Sequence, residues 1–298
     1  MPVAAVRPLL IAAVAVTLGA ATAVVVDGRT PSESSDCAVP AYVEGTPASP
    51  EAAPDGGGLE VVEQGFTQTG DAVSIGAVVH NTSAHPAYRT RVQIRLYDAK
   101  RMWLPEERPG EVRRVMEIPV VMPGQRVGIG NDAHPAPLYG GGKAVVRSFD
   151  VELTTTTWLE PDALGGLVPV SAREVRAEHP SPASDDVVSA HYRERSANCR
   201  TLAARGAAVV YRDAGGRIVG GAIEPPGALI VFRDERNEVV GGEPTPPESA
   251  PCAPGERDMW VIPLNPVPDS ADLSRIEVHP YCDLSRPVSG TGPRDPRN

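Results

Sequence analysis

At 298 residues and a formal charge of −10, with acidic residues spread along its length, the chain lacks the local excess of positive charge that binding nucleic acid or an anionic membrane surface requires. Aromatic residues make up only 4%, so any core must rest on Val, Ile, Leu and Ala, with Trp103, Trp158 and Trp260 as the large fillers. Of the 28 basic residues only Lys100 and Lys143 are lysine, which with abundant Ala, Gly, Pro and Val fits the codon usage of a high-GC bacterial genome and says nothing of function.

The chain opens on an export signal. After Arg7, the stretch from Pro8 to Val26 is uncharged and mostly apolar, close to the roughly 20 residues a bilayer span needs. Ala21-Thr22-Ala23 is also a small-residue cleavage motif of the kind that ends a signal peptide. The run Val24 to Val26 extends the apolar segment past that motif, which favours an uncleaved anchor over residues 1–27, with a cleaved signal peptide as the alternative. Arg7 and the amino terminus favour keeping that end in the cytoplasm. The expectation is a single-pass protein of the cell membrane with extracellular C-terminal domains, or else a secreted one. Residues 28–58 are rich in Ser, Pro, Ala, Glu and Gly without periodicity. Such a segment buries too little apolar surface to offset about 1–2 kcal/mol per residue of backbone ordering, and reads as a disordered stalk.

Residues 59–159 read as a first β-sandwich. Leu59 to Phe66 is a plausible first strand, and Ala72 to His80 puts Val73, Ile75, Ala77 and Val79 on one face by its period of two. In Val92 to Met102 the residues Val92, Ile94 and Leu96 alternate with Gln93, Arg95 and Tyr97, after which Asp98 suits a turn because its carboxylate can accept backbone hydrogen bonds. Pro123-Gly124-Gln125-Arg126 is a tight turn, and Ala144 to Thr154 closes the unit. Short strands with frequent turns and no capped helical pattern indicate a sandwich.

A second unit over residues 167–284, after a linker at 160–166, repeats this order. Val209 to Gly221 (VVYRDAGGRIVGG) and Ile230 to Gly242 (IVFRDERNEVVGG) echo the strand-Asp-turn pattern, so Asp213 and Asp234 are also read as turn residues. Val187 to Glu194, Ala207 to Asp213, the Pro254 to Arg257 turn, Met259 to Leu264 and Arg275 to Tyr281 complete the unit, with Ile276 and Val278 inward. The extra copy at Ile230 to Gly242 is an inserted hairpin or edge strand. Residues 285–298 are expected to be a disordered tail. A tandem duplication of one sandwich follows.

Arg95-Leu96-Tyr97-Asp98-Ala99, preceded by Val78 to Ser83 and followed by Pro123-Gly124-Gln125, resembles the FxLYD-type extracytoplasmic domain of bacteria. The resemblance implies an immunoglobulin-like fold and an envelope module without catalytic residues. It covers most of the first unit; the second matches through Tyr211 to Ala214 and Pro254 to Glu256, and neither has Phe two residues before the Leu-Tyr-Asp position. The expected fold class is therefore all-β, with two tandem immunoglobulin-like β-sandwich domains behind an N-terminal hydrophobic helix and a stalk.

Four cysteines in an exported chain are expected to be bridged. If Met259 to Leu264 and Arg275 to Tyr281 are antiparallel neighbours, Cys252 and Cys282 lie at one end of that hairpin and pair. Cys37 and Cys199 remain; a link between them pins the stalk to the second unit, and the alternative leaves Cys37 free or bonded to another chain. No Cys-x-x-Cys, His-Glu-x-x-His or Gly-x-Ser-x-Gly occurs, and neither Lys follows a Ser at three residues. His80 and His85 flank one loop and read as solvated rather than metal-binding. Gly142-Lys143 sits in a turn that lacks the Ser or Thr and the first Gly of a phosphate loop, since Ala144 and Pro137 occupy those places. No catalytic residue, metal or cofactor is assigned.

For partner binding, Trp103 and Leu104 follow the Asp98 turn in a segment rich in Arg, Glu and Pro, a composition common at hot spots, with a core-edge Trp as the alternative. The inserted segment reads as an edge open to a partner's strand, with Arg233 and Arg236 as candidate partner-binding residues, or else as an edge that the same charges block. The expected function is non-catalytic binding or presentation of an envelope protein or cell-wall component, without nucleic acid, and with the membrane engaged only through the N-terminal segment. A secreted hydrolase-type enzyme with a loop-assembled site and a passive spacer are the competing classes.

Overall fold

The alternating strand at Val92 to Leu96 is one of fifteen in the computed structural model, which describes residues 37–40, 43, 53–105, 115–137, 142–178, 188–224, 230–233, 239–243, 252–261 and 267–284. Residues 1–27, where the anchor or signal is expected, and the 285–298 tail lie outside the described residues, as does Asp234. Among the described residues there is no α-helix, and no helix long and apolar enough to cross a membrane.

The first half contains β1 (Leu59–Thr69), β2 (Ala72–Asn81), β3 (Ala87–Tyr97), β4 (Trp103–Leu104), β5 (Val115–Val121), β6 (Arg126–Ala133) and β7 (Ser148–Trp158). The antiparallel sheet β1-β2-β6 faces a second sheet in which β3 pairs with β7 on one side and with β4 and β5 on the other. Period two sets the core between them: Val73, Ile75, Ala77 and Val79 of β2 meet Val92, Ile94 and Leu96 of β3, all buried.

The second half contains β8 (Ser171–Glu178), β9 (Ser189–Ser196), β10 (Ala203–Arg212), β11 (Ile218–Glu224), β12 (Ile230–Arg233), β13 (Val239–Glu243), β14 (Gly255–Val261) and β15 (Glu277–Asp283). Its pairing repeats that of the first. The sheet β8-β9-β14 answers β1-β2-β6, and β11-β10-β15 answers β4-β3-β7. Where the first half has β5, the second has the β12–β13 hairpin, paired only with itself among the described residues. Ala190, Tyr192, Val209, Tyr211, Ile276 and Val278 fill the core between these sheets. One sequence expectation is corrected: the Met259 strand pairs with β9 and the Arg275 to Tyr281 strand with β10, so the two are not hairpin neighbours.

The halves meet through the β1-β2-β6 and β11-β10-β15 sheets, within the compact unit Glu33–Asn298. Small residues make this possible. A Cβ added to Gly76 would lie 2.2 Å from the Gly220 carbonyl oxygen, and one on Gly130 2.0 Å from that of Ala222. The backbones approach closely enough for side chains to bond across: Ser74 Oγ donates to the Gly221 carbonyl and accepts from its N–H, both at 3.0 Å, and Thr67 Oγ1 donates to the Val219 carbonyl at 2.6 Å. The strand β2 is thereby covered on both faces, one by an aliphatic core and the other by glycine-lined backbone.

A smaller core seals the junction. Val39, Leu164, Leu202, Cys252 and Leu284 are buried together, and the Val43 N–H donates to the Leu284 carbonyl at 3.0 Å. This corrects the expected stalk in part: Cys37, Val39, Val43 and Ala53 belong to the folded body, because their apolar side chains and the Cys37 bridge hold them there. The linker likewise contributes Leu164 to that core.

Candidate functional site

The turn after β3 is held by one carboxylate. Asp98 Oδ1 accepts from the N–H groups of Lys100 and Met102, both at 2.8 Å, while the Asp98 N–H donates to the Met102 carbonyl at 3.0 Å. Arg101 takes φ 61°, in the left-handed region uncommon for a residue with a side chain, and this turns the chain back into β4. Its guanidinium lies 4.7 Å over the Tyr97 ring and bonds both Asp150 carboxylate oxygens, at 2.9 and 3.1 Å. Cross-strand partners share a face, and Tyr97 stands opposite Trp103. The outer face of this sheet end thus carries Tyr97, Arg101 and Trp103, flanked by the Arg95–Glu152 ion pair at 3.0 Å.

Met102 and Trp103 are 62% and 60% exposed. Leu104 is 3% exposed and belongs to the core, which corrects its assignment to the partner-binding pair: β-strand alternation sends neighbouring side chains to opposite faces. Arg233 ends β12, and Arg236 lies outside the described residues. The sequence reading passed over Tyr97 and Arg101 as binding residues. The signal was present in the alternation that put Tyr97 on the wet face, with Arg101 in the turn that follows.

A second feature was not legible in the sequence. Where the β5–β6 turn, the Leu167–Ala172 segment and β15 converge, a cleft of about 290 Å³ opens between the halves, with Arg126, His279 and Cys282 among its walls. A chain of polar contacts joins two of these: Arg126 pairs with Glu63, Glu63 with Arg212 at 2.5 Å and Arg212 with Glu277 at 2.5 Å, and His279 Nε2 lies 3.4 Å from Glu277 Oε2. The hydrogen bond from His279, joined by that from Arg212, holds the Glu277 carboxyl down at about 2. Burial works against the Arg212 charge, but its two carboxylate partners prevail and raise its pKa. Tyr281 closes the cleft floor by donating its hydroxyl to the Gly128 carbonyl at 2.8 Å, and burial pushes its pKa up.

The loop residues are structural, and His85, expected to be solvated, is half-buried. Asn81 is buried and its Nδ2 donates to the carbonyls of His85 and Val121, at 2.9 and 2.8 Å, while Oδ1 accepts from the Ser83 N–H at 2.9 Å. Asn198 does the same work in the second half, bonding the Val168 N–H and carbonyl at 2.9 and 2.8 Å. His85 Nδ1 lies 2.9 Å from the Leu159 carbonyl. Asp213 repeats the Asp98 turn, its Oδ1 accepting from the Arg217 N–H and its Oδ2 from Arg217 Nε, each at 2.9 Å; these bonds lower its pKa. Cys37 is bridged to Cys199 and Cys252 to Cys282, with Cα separations of 5.5 and 5.9 Å. The second bridge joins β15 to the segment before β14, so it staples two sheets together instead of closing a hairpin.

No family model, no curated protein and no solved structure matches this chain.

Proposed function

We propose that this chain is a non-catalytic cell-envelope module, held at the membrane by its N-terminal apolar segment, that binds or presents an envelope protein or cell-wall component. Its two halves are read as tandem immunoglobulin-like sandwiches of the FxLYD type, the second divergent by its β12–β13 insertion. The repeated strand pairing and the two disulfides support that reading, alongside the Tyr97-Asp98 and Asn81 motifs quoted above.

The observation that carries the binding role is the exposure of Trp103 beside Arg101 and Tyr97. Tyr, Trp and Arg are the residue types that dominate binding energy where they are desolvated by a partner. The left-handed backbone at Arg101 and the Asp98 turn hold the Trp in place, which lowers the entropy lost on binding. The test is in-situ cross-linking of tagged protein on intact native cells, with mass spectrometry of the adducts. A dominant protein or wall-polymer adduct that disappears in Trp103→Ala is the expected result. Adducts unchanged by that substitution, or none at all, reject the reading.

A further inference from the structure

Along β9 the burial alternates, and Glu194 falls on the inward side with Ala190 and Tyr192. It is 1% exposed. One carboxylate oxygen accepts from the Cys252 N–H at 2.7 Å; the other is buried and has no hydrogen-bond partner among the described residues. A carboxylate oxygen of Glu194, Cys252 Sγ and Cys282 Sγ all lie within 4.8 Å of one another. A buried polar atom without a partner is costly and calls for a reason. The two residues differ in access: Cys252 is buried, whereas Cys282 is half-buried and lines the inter-half cleft.

We propose that Cys252–Cys282 is a thiol–disulfide exchange site, entered by a thiol through the cleft at Cys282, with Glu194 as proton donor to the departing Cys252 sulfur. The incoming thiolate attacks Cys282 Sγ along the open side. The S–S bond breaks and its electron pair goes to Cys252 Sγ. A thiolate released at a buried sulfur is poorly solvated and takes up a proton, which the Glu194 carboxylic acid supplies, leaving a carboxylate. The products are a mixed disulfide on Cys282, a Cys252 thiol and ionised Glu194. Burial raises the Glu194 pKa against the opposing pull of the Cys252 N–H and of Arg257, which stands opposite it on β14, and so favours the acid form the step needs. The new thiol has an acceptor ready, since Cys252 Sγ lies 3.9 Å from the Tyr281 carbonyl oxygen.

The test treats the full chain with dithiothreitol and follows both bridges by alkylation and mass spectrometry, Cys37–Cys199 serving as control because Cys199 is exposed. In the native fold Cys252–Cys282 opens at a rate proportional to thiol, and Glu194→Gln slows it by about tenfold or more, as loss of a general acid does, with the control bridge unchanged. A purely structural Glu194 gives the opposite sign: the weakened site opens faster. An equal or faster rate in Glu194→Gln overturns the proposal. Should that variant not fold, the wild type decides: opening indifferent to sub-denaturing urea supports the site, and opening that tracks global unfolding overturns it.

Discussion

The turns after β3 and β10 are built alike and end differently. In both, an Asp carboxylate accepts the N–H groups of the returning chain. After Asp213 the return is the seven-residue strand β11, whose Ile218 and Gly220 press onto the first half. After Asp98 it is the two-residue strand β4, which leaves Met102 and Trp103 exposed. Turn chemistry therefore sets the hairpin, and the residues that follow decide whether its far side is used inside the molecule or offered outside. Glycines send the second hairpin inward because they admit another backbone; a Trp on a short edge does the reverse.

The largest effect separating the two regions is expected at the buried interface. Gly130→Val places side-chain atoms where carbonyl oxygens of Val209 and Ala222 already stand, and should cost about 3 kcal/mol or more, at the upper end of overpacking effects. Urea midpoints check this, and a near-neutral result would mean that the halves are not in close contact. Next comes the pair of neighbours in β4. Leu104→Ala should cost about 2–4 kcal/mol as a core truncation, while Trp103→Ala should change stability by no more than about 0.5 kcal/mol and act on binding alone. Comparable losses from both, measured by thermal or urea unfolding, would place Trp103 in the core.

A smaller, pH-dependent effect belongs to the ion chain between the halves. The folded Glu277 carboxyl is depressed to about 2 from its ordinary 4.5, so its stabilisation is fully present above pH 4.5 and is lost as pH falls from there through 2. Glu277→Gln should flatten stability against pH across that window. Because Glu277 is 38% exposed, added salt should shrink the difference. An unchanged acid limb in the variant would assign that limb to other carboxylates.

Much of this fold was legible because period two is a strong signal. Val73 to Val79 and Val92 to Leu96 have their inward sets as the alternation requires, and Asp98 and Asp213 are the turn residues their side chains suit. The interface between the halves was not legible for the same reason. The other face of β2 reads Ser74, Gly76, Val78 and His80, which looks like a solvent face, yet Ser74 and Gly76 are the residues that let a second backbone approach and bond. The Cys252–Cys282 pairing was reached from a hairpin that does not exist, because the sequence order of the last strands hides that they belong to different sheets. Of the candidate site, Trp103 was visible from composition, whereas its separation from Leu104 required the strand to be placed. Glu194 was within reach: an acid at an inward position beside Tyr192 is a break in alternation.

The most direct test of the open-hairpin claim places a photo-reactive phenylalanine analogue at position 103 in one variant and at position 217 in another, on intact native cells. Arg217 marks the matching turn of the second half and its side chain is 86% exposed, so the probe reaches solvent at both sites, which differ in chemistry and setting. An adduct at 103 that is absent at 217 is the predicted result. Equal labelling at both positions, or labelling at 217 alone, would contradict the account.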